Sequence, residues 1–279
     1  MQNHGEAYMK LLILLTITIA LVAPLSAQTP APKPSVEQQV QRELNEAARA
    51  YREGNFAEAQ ACSERALLLD PQNKTAPYFV ARTIHAQYKP GDFTLENTAK
   101  ARQAIIAYQR ILDRSADDDE AYKAIAYLYG ALKEDALLHQ WILQRAGNVS
   151  VAKEKRAEAF VVLASKDWDC SFRITELPNN KVTTIDARKA HVRYQMPKEK
   201  VEFERAKECA NRGLEMANMA IALTPENESA WAYKTNILLE LEKLAEMQGE
   251  IQLKSELHRQ WDEALKQTTK ISQRSRSNP

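Results

Sequence analysis

The chain has 279 residues, of which 44% are hydrophobic and 27% are charged, a composition typical of a folded protein rather than a disordered one. It contains only 7 glycines, which argues against a β-rich fold. The 38 basic and 37 acidic residues leave a formal net charge of +1, so composition gives no general attraction to nucleic acid or to an anionic membrane.

The N-terminal segment resembles a targeting signal. Residues 11–23 are apolar apart from two threonines, and this run is shorter than the roughly 20 residues that a membrane-spanning helix needs. Leu25-Ser26-Ala27 follows as a small-residue cleavage site, so we expect a secretory signal peptide over residues 1–27 and a periplasmic or secreted product. The alternative is an uncleaved N-terminal anchor. The start of translation stays open between Met1 and Met9, and Met9 followed by Lys10 makes the better signal.

Residues 28–35 (QTPAPKPS) form a proline-rich spacer, which we expect to be extended, and folded structure is expected from residue 36. Residues 47–73 then describe one helix–turn–helix unit. Gly54 can take the positive φ that ends a first helix, and Phe56 opens a second helix. Ala59 and Ala66 are small enough for the two helices to approach closely, and Pro71 ends the second helix.

This Gly-Asn-Phe…Ala…Ala…Asp-Pro string resembles a tetratricopeptide repeat (TPR), a helix pair of about 34 residues. The resemblance implies an all-α, right-handed α-solenoid over residues 36–270 that binds proteins or peptides and is not an enzyme. Ala81 lies 34 residues after Ala47 and continues the register. Further helices are predicted at residues 101–112 after a loop over 88–98, at 117–129, 136–145, 157–164, 198–223 and 228–248, and, as a polar capping helix, at 250–270. Residues 271–279 are expected to be a polar, frayed tail.

Residues 168–197 interrupt the repeats and form the predicted inserted loop. Phe172 and Ile174 alternate with polar residues, Pro178-Asn179-Asn180 is a turn signal and residues 182–185 are β-prone, so a small hairpin is one interpretation. A functional flap and a tolerated insertion stay equally open. Cys170 and Cys209 flank the insertion, and a disulfide between them is one possibility, although the count of three cysteines is odd.

No catalytic motif is present: there is no G-x-S-x-G, H-E-x-x-H, phosphate-binding glycine loop or C-x-x-C pair. The histidines are scattered without metal-ligand spacing, so neither a metal nor another cofactor is expected.

In the TPR resemblance, the first helices of successive pairs line a concave groove that binds a partner. Tyrosine, tryptophan and arginine are the residues that protein-binding surfaces favour. Carried onto this chain, the groove positions are Leu44, Tyr51, Arg52, Tyr78, Arg82, His85, Lys123, Tyr127 and Trp168. Packing between repeats is the competing interpretation of the tyrosines. The set lacks the lysine and arginine cluster that would clamp a carboxylate terminus.

The sequence therefore predicts an exported, non-catalytic scaffold that binds a protein or peptide, without nucleic acid or a membrane as partner. A solenoid that binds a small molecule or glycan, with the insertion as a lid, is the alternative. A Gram-negative periplasm is the expected setting. In a eukaryote, Asn73, Asn148 and Asn227 would instead be potential glycosylation sites.

The export hypothesis predicts cleavage after Ala27 and a sufficient start at Met9. Sequencing the N-terminus of the mature protein should therefore begin at Gln28, whether expression starts at Met1 or at Met9. An intact N-terminus on a membrane-bound product would contradict the prediction.

Overall fold

The structure, a computed structural model, describes residues 33–186 and 189–277. The predicted signal peptide and residues 28–32 of the predicted spacer lie outside this part of the chain. Residues from Val36 onward form one unit. Its elements are α1 Val36–Arg52, α2 Phe56–Leu69, α3 Ala76–Ala86, α4 Leu95–Leu112, α5 Asp119–Ala131, α6 Asp135–Gly147, α7 Lys153–Thr175, a 3₁₀ turn Pro178–Asn180, β1 Lys181–Asp186, β2 Lys189–Tyr194, α8 Lys200–Leu223, α9 Glu228–Gln248 and α10 Ile251–Ser277.

Every helix packs on the next one along the chain, and this sequential packing confirms the predicted all-α series of helix pairs. Alanines lie at the first contact: Ala47 on α1 and Ala59 and Ala66 on α2 are completely buried. Because an alanine side chain is one methyl group, the two helix backbones can approach closely there. Within the described residues, no helix is both long and apolar enough to span a membrane.

The turn between α1 and α2 has the predicted geometry. Gly54 has φ +80°, a left-handed conformation that is strained for any residue with a side chain. This turn brings Phe56 back onto α1, where its ring meets Tyr51 edge-on at 5.2 Å between centroids. The glycine therefore decides where the second helix begins.

The predicted start of α4 at Ala101 is wrong, because the helix begins at Leu95. The Thr94 side chain caps it by accepting a hydrogen bond from the backbone N–H of Asn97. The Asn97 side chain in turn donates to the carbonyl of Lys89 at 2.8 Å and so fills the interior of the preceding loop. Capping and loop hydrogen bonds thus extend the helix beyond its apolar stripe.

The predicted insertion begins too early, because α7 continues to Thr175 and includes Trp168. Buried positions in the last turns of α7 are polar. Asp167 accepts a hydrogen bond from Arg212 on α8 at 2.5 Å, and Thr175 donates to Glu240 on α9 at 2.5 Å. The apolar periodicity therefore ends before the helix does.

The true insertion contains the antiparallel hairpin of β1 and β2, with Thr183 opposite Val192. The hairpin is thus confirmed, but Phe172 and Ile174 lie on α7 rather than on a strand. The Pro178–Asn180 segment forms a 3₁₀ turn that leads into β1 instead of the turn between the strands.

Helices α7 and α8 are fastened to each other at several points. Cys170 and Cys209 form the disulfide that the sequence left open, with their Cα atoms 6.0 Å apart, while Cys62 is buried and free. One turn further along α8, a Cβ atom at Gly213 would lie 3.1 Å from side-chain atoms of both Asp167 and Ile237. The absence of a side chain at Gly213 therefore allows α7, α8 and α9 to meet.

The C-terminal helix is longer than predicted, because α10 continues to Ser277 instead of ending at Lys270. Ile271 is buried, and Arg274 forms an ion pair with Glu226 at 2.9 Å. The burial of Ile271 and the ion pair of Arg274 with Glu226, which lies between α8 and α9, thus keep part of the polar tail helical.

The close α1–α2 contact predicts a stability difference between two neighbouring positions. Ala59→Leu should lower the free energy of unfolding by about 1–3 kcal/mol, because extra methyl groups cannot fit between the helices. Glu58→Gln, at an exposed position, should change it by less than about 0.5 kcal/mol. Thermal and urea melts of both variants measure the difference, and equal midpoints would contradict the packing described.

Candidate functional site

A hollow of about 360 Å³ lies on the face formed by α1 and α3. It brings together three of the predicted groove residues, Tyr51, Arg82 and His85, which come from two successive first helices. The residues that line it are Tyr51, Phe79, Arg82, His85, Ala86 and Tyr108. The hollow is therefore mainly aromatic, with one cationic side chain.

Aromatic rings extend this surface from α3 to α5. The His85 ring lies 5.6 Å from the ring of Tyr127, which is 53% exposed, and 5.9 Å from the nearly perpendicular ring of Tyr108. Burial lowers the pKa of His85, so its imidazole is neutral at pH 7. Burial likewise raises the pKa of Tyr108 to about 12, and its hydroxyl lies 3.4 Å from Nδ1 of His85. The histidine therefore supplies a neutral polar edge within an apolar wall.

One ion pair and one hydrogen bond join α3 to the start of α5. Arg82 Nε lies 2.6 Å from Oε1 of Glu120, and both side chains are about half exposed. The Tyr78 hydroxyl donates to Asp118, the residue that caps α5 by accepting from the N–H of Ala121. The hydrogen bond to Asp118, assisted by burial, raises the pKa of Tyr78 to about 12. Tyr78 therefore fixes the two helices relative to each other, whereas the Arg82–Glu120 pair stays accessible to solvent.

The remaining predicted residues lie elsewhere. Leu44 is buried in the core with Val40 and Ala66, so its assignment to a groove surface is wrong. In the sequence, Leu44 has the same helical spacing whether it faces the core or the groove, so spacing alone does not distinguish the two positions. Arg52 is exposed in the last turn of α1, and Lys123 is exposed beside Asp119 at 3.6 Å; neither lines the hollow.

Trp168 belongs to a second aromatic cluster, between α7 and α9. Its ring centroid lies 5.0 Å from that of Phe172 and 6.1 Å from that of Tyr233. Trp168 is half-buried and packs against the core of α8 and α9, so it has a structural role. The sequence reasoning missed Tyr233 and placed Phe172 on a strand.

A buried charge cluster lies where the hairpin meets α9, and the sequence reasoning missed it. Lys243 Nζ donates to Glu240 at 2.6 Å and to Glu176 at 2.8 Å. The same ammonium group lies 5.3 Å from the centroid of the Phe172 ring and 5.0 Å from that of Tyr194 on β2. Glu240 and Lys243 sit among the apolar core residues of α9, and charges placed within a buried stripe are the signal that could have indicated the cluster.

These contacts hold the Glu176 carboxylate ionised. Burial alone would raise the pKa of Glu176, but hydrogen bonds from Lys181, Lys243 and Tyr194 outweigh it and lower the pKa to about 2. Burial would also lower the pKa of Lys243, and the hydrogen bonds to Glu176 and Glu240 instead raise it. Because each buried charge has a partner of opposite sign, the cluster stabilises the position of the hairpin.

Among the described residues, no group of three or more histidine, cysteine or acidic side chains is arranged to hold a metal ion. The polar groups of the hollow are one arginine, one neutral histidine and tyrosine hydroxyls, which are hydrogen-bonding groups.

Comparisons with known proteins add little beyond this geometry. A scan against family models and a comparison with curated sequences find no match. Among solved structures, the chain is similar to a tetratricopeptide repeat protein from Parabacteroides merdae ATCC 43184, with 12% identity, a TM-score of 0.34 and coverage of 86% of this chain and 93% of that one. The fold description rests instead on the packing of this chain's own helices. The chain folds as a series of sequentially packed helix pairs with an inserted hairpin.

The Glu176 cluster predicts a pH-dependent difference in stability. Because the folded pKa of about 2 lies below the usual value, the carboxylate stabilises the fold above about pH 4.5, and this stabilisation is lost as the pH falls towards 2. The melting temperature of wild type should therefore exceed that of Glu176→Gln at pH 6, and the difference between the two melting temperatures should narrow steadily towards pH 2.

A second glutamate provides a matched control. Glu256 also has a pKa lowered to about 2, through hydrogen bonds from Arg259 and Gln260, but it is exposed on α10. Salt screens exposed pairs more than buried ones. The difference in melting temperature between wild type and Glu256→Gln should therefore vanish in about 1 M NaCl. The difference between wild type and Glu176→Gln should persist. Equal salt sensitivity in the two variants would contradict the partial burial of Glu176.

Proposed function

We propose that the protein is an exported, non-catalytic scaffold that binds an extended segment of a protein partner on the face formed by its first helices. The observation that carries this proposal is the aromatic hollow of Tyr51, Phe79, Arg82 and His85, with Tyr127 beside it. Its volume of about 360 Å³ is near the lower end of ligand sites, which are roughly 300–1,000 Å³. It would accept one large side chain of a partner and the backbone that flanks it.

The chemistry of the hollow favours a peptide as the occupant. Tyrosine rings provide a large contact area with little loss of rotamer freedom, and such residues dominate the binding energy of protein interfaces. The Arg82–Glu120 pair is half exposed and so contributes little to stability, which leaves Arg82 ready to donate to a partner's carbonyl or carboxylate. The neutral His85 adds a polar group without the cost of burying a charge.

Two observations support the exported setting of this proposal. The N-terminal sequence resembles a secretion signal, and the Cys170–Cys209 disulfide suits an oxidising compartment such as the periplasm. The hairpin lines no part of this hollow, which is formed by α1, α3 and α4. We therefore do not propose the hairpin as a lid over a small molecule at this place.

The proposal is tested by selecting binders from a displayed library of random peptides with the mature protein. Selected peptides should bind wild type and lose at least about tenfold in affinity for Arg82→Ala, which removes a side chain of the hollow, and for Tyr127→Ala, which removes the exposed ring beside it. Fluorescence polarisation with the labelled peptides measures the affinities, and melting curves check that each variant is folded.

Phe93→Ala is the matched control, since Phe93 is also about half exposed but lies in the α3–α4 connection, outside the hollow. Affinity for this variant should equal that of wild type. The proposal is overturned if the selected peptides bind Arg82→Ala and Tyr127→Ala as tightly as they bind the control.

A further inference from the structure

The backbone of β1 directs hydrogen-bonding groups away from the hairpin. At the base of the hairpin, the N–H of Gln195 donates to the carbonyl of Asn180 at 2.9 Å, so these two residues occupy a hydrogen-bonded position of the ladder. Hydrogen-bonded and non-hydrogen-bonded pairs alternate along an antiparallel ladder. With the observed register, the N–H and C=O groups of Thr183 and Ile185 therefore point away from β2.

The two edges of the hairpin differ in what covers them. At the base of β2, the outward N–H of Tyr194 donates to Oε1 of Glu246 on α9 at 3.0 Å. Along β1, no described residue pairs with the outward backbone groups of Thr183 or Ile185. The edge of β1 is thus an open template for another strand.

The side chains of β1 suit strand pairing. Val182, Thr183, Thr184 and Ile185 are four consecutive β-branched residues, the type that most favours strands, and all are exposed. Ile185 is 80% exposed. Edge strands are usually protected by an interior lysine, a proline or a bulge, and this stretch contains none of them.

The hairpin is held in a fixed position from which it can receive a partner. The Tyr194 hydroxyl donates to Glu176 at 2.8 Å, within the buried charge cluster that includes Lys243. The Asn180 side chain donates to the carbonyl of Ile174 at the end of α7 at 2.7 Å. Because the base is ordered before binding, a third strand would lose less entropy on pairing than it would with a free hairpin.

Charge indicates which kind of segment would pair. Arg193 on β2 is exposed and carries a positive charge, whereas the ammonium group of Lys181 on β1 is already paired with Glu176 at 2.7 Å. An acidic residue opposite Val182 in a third strand would lie on the same face as Arg193, which is exposed. We propose that the outer edge of β1 binds an extended acidic segment of a partner protein, which joins the hairpin as a third strand. This surface is separate from the aromatic hollow, so each proposal can fail without the other.

The test uses two fluorescent octapeptides, one of alternating valine and glutamate and one of alternating valine and lysine, with the full-length mature protein. The glutamate peptide should bind and the lysine peptide should not. Arg193→Glu should reduce binding of the glutamate peptide at least tenfold, because it replaces the attracting charge with a repelling one.

Two proline variants test the edge itself. Thr183→Pro removes an outward N–H of β1, and Ala190→Pro removes one from β2, so both leave the hydrogen bonds between the strands intact. Binding of the glutamate peptide should fall at least tenfold in Thr183→Pro and stay close to wild type in Ala190→Pro. Slow hydrogen exchange of the Thr184 amide, which faces β2, verifies that the hairpin persists in both.

Three results would overturn the proposal. One is equal binding of the two peptides, and another is equal binding of the glutamate peptide to the two proline variants. The third is a wild-type dimer in light scattering that Thr183→Pro converts to a monomer, because a second copy would then occupy the edge.

Discussion

Small residues at the helix contacts set the distance between neighbouring helices, and the other features of the structure depend on that distance. Ala59 and Ala66 let α2 lie close to α1, and Gly213 lets α8 lie against both α7 and α9. Each helix packs mainly on its neighbours in sequence, so a change in helix spacing at one contact would displace the helices that follow it. Tight spacing also brings side chains of successive first helices within reach of one another, which creates the aromatic hollow.

The second half of the chain is held together by polar groups as much as by apolar ones. Asp167 is buried against Arg212, and Lys243 is buried between two carboxylates and two aromatic rings. Buried charges are tolerated only when partners of opposite sign compensate their loss of water, so these pairs demand one particular arrangement of α7, α8, α9 and the hairpin. The Cys170–Cys209 disulfide adds a covalent constraint at the same place. Specific polar contacts therefore fix the orientation of the inserted hairpin, which apolar packing alone would not fix.

The two proposed binding surfaces differ in the physical interaction they offer. The hollow presents rings and a half-exposed ion pair, and suits side chains of a partner. The edge of β1 presents backbone groups, and suits the main chain of an extended segment. Side-chain anchoring gives specificity for sequence, whereas strand pairing depends mostly on an extended backbone and on net charge.

The sequence by itself determined the helical class and the positions of most helices, because these follow from local periodicity and from helix-ending residues such as Gly54 and Pro71. It also brought Tyr51, Arg82 and His85 into one group, since a repeat places equivalent positions on one face. Only the tertiary structure decided that Leu44 is core, that α7 extends through Trp168 and that Glu176 meets Lys243. Those outcomes depend on contacts between residues far apart in the chain, and a buried polar residue carries no local sign of the partner that satisfies it.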